Sequence, residues 1–217
     1  MLTELARQNM IENQVRPWEV LDPRVLDVLS AVRREDFVPA RYRNLAFADT
    51  ALPLGHGEVM MKPIIEGRVL QALDLNADDR VLEIGTGSGF LTACLARLST
   101  SVVSVEVHAD FAESARARID ASGAKNVRIE VADAVREFDI GERFDAVVVT
   151  GAVYSLPDRF RDWVAPHGRL FAIVGESPAM QAMLYTRADD SHWREESLFE
   201  TDIPYLTHAA PPRRFAL

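Results

Sequence analysis

Val81-Leu82-Glu83-Ile84-Gly85-Thr86-Gly87-Ser88-Gly89 runs a short, mostly apolar segment into three glycines at every second position. The apolar part reads as a buried strand. The glycines read as a tight turn that lets a ligand approach bare backbone. Phe90–Leu98 follows with Leu91, Leu95 and Leu98 at helical spacing, so a helix directs its N-terminal amides back at the turn. Strand, glycine turn and helix in that order put the turn at the carboxyl end of a strand, where open α/β sheets bind ligands.

The same alternation continues downstream. Residues 102–106 form a second expected strand, and 111–122 an Ala-rich charged helix closed by Gly123. Val127, Ile129 and Val131 alternate as a third strand; 145–150 is a fourth, fully apolar at its centre. A helix over 158–164 and a fifth strand over 169–175 complete the pattern, which predicts a Rossmann-like, mainly parallel sheet with helices on both faces. Residues 180–187 and 197–202 fit an antiparallel hairpin at the far sheet edge.

Upstream, 3–15 is a weak helix carrying Leu5, Met10 and Val15. Asp22-Pro23 is a stronger helix start, with Asp at the N-cap and Pro at the first helical position, followed by Leu26, Leu29 and Val32. Pro39 marks an end after that short helix, and 43–62 reads as extended or irregular because Pro53, Gly55 and Gly57 fall close together. Pro63 opens another helix with Ile65, Val69, Leu70 and Leu73 toward a core. With no repeat, low-complexity tract or Gly/Ser linker, 1–217 reads as a single domain: a helical and loop extension over 1–78 and an α/β core over 79–217.

Composition narrows the class. The 217 residues are 48% hydrophobic and 26% charged, and Asp+Glu 33 against Lys+Arg 24 leaves a net charge of −9. That balance disfavours a nucleic-acid binder, whose affinity comes from clustered Lys and Arg, although Arg213-Arg214 forms a local basic pair. No apolar run approaches the roughly 18 residues of a membrane span, and the opening residues lack the pattern of a signal peptide. A single cysteine, Cys94, and five dispersed histidines suggest neither a disulfide nor a metal site. The expectation is a cytoplasmic chain with no membrane, nucleic-acid or metal partner; oligomeric state is not written in these residues.

The turn accommodates two ligand classes. Dinucleotide sites favour G-x-G-x-x-G facing a pyrophosphate, whereas the pattern here is G-x-G-x-G with Phe90 where the third glycine would fall. Glu83 would repel a pyrophosphate but can accept a hydrogen bond from an ammonium. S-adenosyl-L-methionine carries an ammonium and a sulfonium and no phosphate, so the charges favour it. Glu106 ends the second strand 21 positions after Gly85 (106 − 85), where a carboxylate can accept both ribose hydroxyls. Asp133, with Ala134 beside it, ends the third strand within reach of an adenine edge; its alternative is to cap the following helix. Thr150-Gly151 ends the fourth strand and would face the transferable methyl group.

These residues resemble the protein-L-isoaspartate O-methyltransferases. Val81 to Gly89 looks almost word for word like that family's cofactor motif, and residues 32–39, VRREDFVP, are similar to its V-P-R-x-x-F-V-P. Residues 46–57, AFADTALPLGHG, resemble its A-Y-x-D-x-P-L-P-I-G-x-G, and 144–150, FDAVVVT, its F-D-x-I-I-V-T. The resemblance implies a class I S-adenosylmethionine-dependent methyltransferase fold with the extension shaping the acceptor side. It also implies S-adenosyl-L-homocysteine as product and repair methylation of isoaspartyl residues in proteins or peptides. The expected cofactor-binding residues are Met61, Glu83, Gly85, Thr86, Gly87, Ser88, Gly89, Glu106, Val107, Asp133, Ala134 and Thr150, with the acceptor between 49–61 and 150–154.

The departures lie on the acceptor side. The family's Q-T-I-S-x-P is Glu58-Val59-Met60-Met61-Lys62-Pro63, so Met61 occupies the serine position. The family's G-D-G is Ala132-Asp133-Ala134, and 203–207 matches its R-F-V-P-L ending only loosely. A carboxylate acceptor is ionised near neutral pH and needs no general base, so no catalytic residue is assigned. A different acceptor, or a cofactor-binding homologue without catalysis, are the alternatives these departures leave open.

Overall fold

The computed structural model describes residues 2–189 and 192–212; the basic pair Arg213-Arg214 lies outside them. The extension opens with α1 (Leu2–Met10), which widens into a π-type turn over Ile11–Val15 and then tightens into a 3-10 turn over Arg16–Trp18. Regular α-helix therefore stops five residues short of the expected end, while Met10, Ile11 and Val15 remain buried. In α2 (Pro23–Ala31) the side chain of Asp22 accepts from the Arg24 amide at 2.8 Å, as the N-cap reading requires.

The stretch expected to be extended or irregular contains regular pieces. It holds a 3-10 turn over Ala40–Leu45 and a two-stranded antiparallel hairpin, β1 (Leu52–Gly55) and β2 (Glu58–Met60). The glycines read as breakers make the hairpin's turn: Gly55, His56 and Gly57 all have positive φ, at 139°, 51° and 87°. Strands of four and three residues are too short to show a side-chain alternation. In α3 (Pro63–Leu73), Gly67 lets the π-type turn approach, because a Cβ there would lie 2.7 Å from Val15 Cγ1.

The core follows as β3 (Arg80–Ile84), α4 (Phe90–Leu98), β4 (Ser101–Glu106), α5 (Ala109–Ala121), β5 (Val127–Val131), β6 (Phe144–Val153), α6 (Asp158–Asp162), β7 (Val164–Val174), β8 (Met180–Arg187) and β9 (Trp193–Thr201). Seven strands form one sheet in the order β5-β4-β3-β6-β7-β8-β9. The first five are parallel, and β8 and β9 make the expected antiparallel hairpin at the edge. The chain order reverses between β3 and β6, which is the switch point where such sheets hold ligands. Ile84 pairs with Val105 on one side and Val149 on the other, and Glu106 pairs with Val131. The strand ends carrying Glu83, Glu106, Asp133 and Thr150 thereby share one rim.

Several boundaries differ from expectation, β9 among them, which begins at Trp193 rather than 197. β6 continues through Thr150-Gly151 to Val153, with a register break against β7 between Val148 and Ala152. Pairing from the C-terminal segment prolongs it: Ala152 N donates to Pro204 O at 2.9 Å and Leu206 N to Ala152 O at 2.8 Å. α6 has only five residues, and β7 starts at Val164. Apolar side chains fill both faces. One cluster joins Met10, Val15 and Leu29 of the extension to Val81 and Leu95 of the core; the other gathers Phe138, Phe160, Trp163 and Tyr185.

Arg34 connects the extension to the rim. It is fully buried, donates from Nε to Ala46 O at 2.8 Å and from Nη2 to Met61 O at 2.7 Å, and forms an ion pair with Glu66. Its guanidinium also lies over the Phe90 ring, 4.9 Å from the centroid.

Candidate cofactor site

The glycine loop is shaped by sterics as well as by φ. Gly85 has φ 97°, and a Cβ built there would collide with Thr150 Oγ1. A Cβ on Gly87 would press on Leu54 of the hairpin at 3.2 Å, and one on Gly89 on Ala115 of α5 at 3.1 Å. Gly89 is the left-handed N-cap of α4. Thr150 Oγ1 donates toward Gly85 O at 2.6 Å and Ile84 O at 2.9 Å, so the end of β3 is tied to β6.

Two adjoining cavities flank this loop and share Val59, Gly85, Gly87 and Thr150 as walls. Leu54, Glu58, Glu106, Val107, Phe111, Asp133, Ala134 and Leu206 line one; Met60, Met61, Glu66, Glu83, Thr86 and Ser88 line the other. Eleven of the twelve expected cofactor residues thus meet at one place; Gly89 alone lines neither cavity and shapes the helix start instead.

Glu83 shows what the second cavity suits. Its Oε2 accepts from Thr92 Oγ1 at 2.5 Å and Ser104 Oγ at 2.6 Å. Its Oε1 is buried with no partner among the described residues. Burial pushes the carboxyl up to about 8, against the pull of the two hydroxyls, and the negative charge of Glu106 adds to the rise. An unsatisfied buried carboxylate oxygen is costly unless a donor arrives, and an ammonium is the donor that also restores its charge. The neighbouring Glu66 already has its cation in Arg34, yet burial still holds it up at about 7.

Glu106 organises the other cavity: Oε2 accepts from Gly87 N at 2.8 Å and Oε1 from His108 N at 3.0 Å. Each oxygen retains a second lone pair for a hydroxyl. Asp133 does the capping work as well: Oδ1 accepts from Val135 N at 2.9 Å and Arg136 N at 3.2 Å, and Oδ2 meets His208 Nδ1 at 2.5 Å. Its carboxylate faces the cavity already engaged on both oxygens. Glu58, half-buried beside Glu106, is pushed up by burial and by that like charge, with His56 opposing.

Met61 is 6% exposed, its side chain in the wall and its carbonyl held by Arg34. The cavity is also lined by Leu54 and Glu58, from the stretch expected on the acceptor side, and by Phe111 and Leu206, which the sequence reading does not single out. For the first two, Gly55 and Gly57 signal a turn that serves a hairpin as well as a break. Leu206 arrives through the pairing of 204–206 with β6, for which no local pattern exists; Gly151 admits it, since a Cβ there would sit 2.7 Å from Leu206 Cδ2.

Comparison with known proteins agrees with this geometry. The family model for protein-L-isoaspartate(D-aspartate) O-methyltransferase matches residues 5–207. A protein-L-isoaspartate O-methyltransferase of Methanoregula boonei is 36% identical over 192 residues, covering 88% of each chain. One from Anaeromyxobacter sp. is 38% identical over 174 residues, 80% of this chain and 82% of that one. In three dimensions the chain is similar to the Plasmodium falciparum protein-L-isoaspartate O-methyltransferase solved in complex with S-adenosyl-L-homocysteine. The TM-score is 0.79 at 20% identity, covering 93% of this chain and 98% of the other. A second solved protein-L-isoaspartate O-methyltransferase gives 0.78 at 21% identity, with coverage of 94% and 66%. Motif, switch-point cavity and coverage from the extension to the C-terminal segment converge: the chain belongs to the protein-L-isoaspartate(D-aspartate) O-methyltransferase family.

Proposed function

We propose that this chain methylates the free carboxylate of isoaspartyl residues in proteins or peptides, with S-adenosyl-L-methionine as donor and S-adenosyl-L-homocysteine as product. The observation that carries the donor half of the reading is the half-satisfied buried carboxylate of Glu83 in one of two adjoining cavities, the other of which presents Glu106; membership of the family supports the acceptor. When bound, the donor supplies an electrophilic methyl on a sulfonium. Glu83 Oε1 is the partner for its ammonium, Glu106 for its ribose hydroxyls, and the bare backbone of Gly85 and Gly87 allows close approach. Val107 and Ala134 contribute walls on the nucleoside side. The acceptor carboxylate is already ionised at neutral pH, so the protein's work is to orient it and exclude water. Met61 serves the second task and offers no side-chain hydrogen bond for the first.

The remaining parts of the reading rest on simpler grounds. One domain over 1–217 is favoured by the apolar cluster common to extension and core. No helix among the described residues is long and apolar enough to cross a membrane, and with the net charge of −9 this favours a cytoplasmic protein acting on protein rather than nucleic acid.

The test is transfer of labelled methyl to an isoaspartyl peptide, with the matching aspartyl peptide as control and calorimetric binding of S-adenosyl-L-homocysteine on the same sample. Base-labile label on the isoaspartyl peptide alone is the expected result. Tight product binding without label would sink the acceptor assignment and favour the second reading, a retained donor site serving another acceptor, for which Met61 is the observation.

A further inference from the structure

The β1–β2 hairpin is a separate two-stranded sheet, not joined to the main one, yet Leu54, Glu58 and Val59 from it wall the nucleoside side of the groove. Its tip is fastened to the start of α5. His56, at φ 51°, directs Nε2 to the Asp110 carboxylate at 3.0 Å. The His56 ring stacks on His108 with centroids 4.1 Å apart and planes 7° from parallel, and Phe111 meets both rings edge-on. His108 Nε2 is buried with no partner among the described residues, so stacking rather than a bond at that atom seats the ring. The same residue donates its backbone N–H to Glu106 Oε1, and Glu106 in turn holds Gly87 N. A continuous chain of contacts therefore runs from Asp110 through the hairpin tip to the carboxylate and glycine that face the cofactor.

We infer that His56 and Asp110 are positioning residues that clasp the hairpin over the nucleoside end of the groove and so set how long S-adenosyl-methionine or its product stays bound. The inference rests on the cofactor reading above, since neither residue needs to touch the acceptor. Both side chains are partly solvent-exposed, at 45% and 65%, so the clasp is of the strength that opens readily. It adds little to the stability of the fold and acts on the rate at which the groove uncovers.

The experiment is dissociation of S-adenosyl-L-homocysteine from the full chain, followed by surface plasmon resonance. It compares wild type, Asp110→Ala, His56→Asn (Asn tolerates positive φ) and the double variant. Release is expected to quicken about two- to fivefold in each single variant, and no further in the double, as for one weak exposed pair. Asp110→Asn, which keeps an acceptor, should recover part of the loss. The donor KM should rise with kcat unchanged, and the melting temperature should stay within experimental error, which a merely structural role would not give. Unchanged release and KM in both single variants, with the wild type binding normally, would overturn the clasp. Failure of the wild type to bind at all would overturn the cofactor reading and the clasp with it.

Discussion

In the proposed reading Glu83 meets the charge of the donor directly. Its folded value of about 8 means that near pH 7 the carboxyl is largely protonated before a ligand arrives. An ammonium at Oε1 favours the ionised form, so binding releases a proton. Affinity for S-adenosyl-L-homocysteine should therefore rise from pH 6 toward about 8. Calorimetry in buffers of different ionisation enthalpy should detect up to one proton released at neutral pH. Glu83→Gln should weaken binding by about tenfold or more and abolish that release, since one charged hydrogen bond contributes on this scale. Met61 is the opposite case, a family position changed in kind. Met61→Ser should lower stability by about 2–3 kcal/mol, because the larger side chain is buried. It should also raise kcat/KM on an isoaspartyl peptide by up to about tenfold through the regained hydroxyl. Denaturant melts and steady-state kinetics on one preparation read both effects.

The helices and the hairpin differ in how much of their shape is local. α2 is set by its first two residues, Asp22 capping the Arg24 amide and Pro23 occupying the next position. Asp22→Ala should cost about 1 kcal/mol in urea unfolding without altering cofactor binding, because the cap lies outside the groove. The hairpin has no such autonomy: two strands of four and three residues are marginal alone. Leu52 and Met60 bury themselves against the core, and the tip is held by side chains some fifty positions away. That is why a sequence reading of 43–62 stops at its glycines, while Pro63 announces α3 correctly. β6 overran its expected end for a similar reason, its last residues being paired by 204–206 rather than by any pattern of their own.

Two buried carboxyls among the described residues have a raised proton affinity, Glu66 at about 7 and Glu83 at about 8. In the unfolded chain both titrate near the ordinary carboxyl value, so between those limits the folded state binds more protons. Their contribution to stability is complete below about pH 4.5 and drains as pH rises through about 7 and about 8. From pH 5 to 7 these two groups should lower the unfolding free energy progressively. Asp22, held low by its hydrogen bond to Arg24, acts the other way and only at the acid end. A chemical-denaturation series across pH should show the decline. Saturating S-adenosyl-L-homocysteine should shrink it by supplying Glu83 with a counter-charge. A flat profile would mean that neither carboxyl is desolvated as the fold implies.

Residues close in the chain determined a good deal by themselves. The run from Val81 to Leu98 specified strand, turn and helix, because backbone sterics and helical periodicity act over a few residues. The spacing of Glu106, Asp133 and Thr150 along successive strands marked one ligand rim, because parallel strands joined by helices align their carboxyl ends. Only the tertiary structure decided which oxygens of those carboxylates remain free. Glu106 and Asp133 are partly engaged by backbone amides, and Glu83 keeps one oxygen bare. It also decided what closes the groove, bringing Leu54, Phe111 and Leu206 together from three distant segments. Hydrogen-bond satisfaction and enclosure depend on what the rest of the chain brings to a point in space, and no short pattern of residues records that.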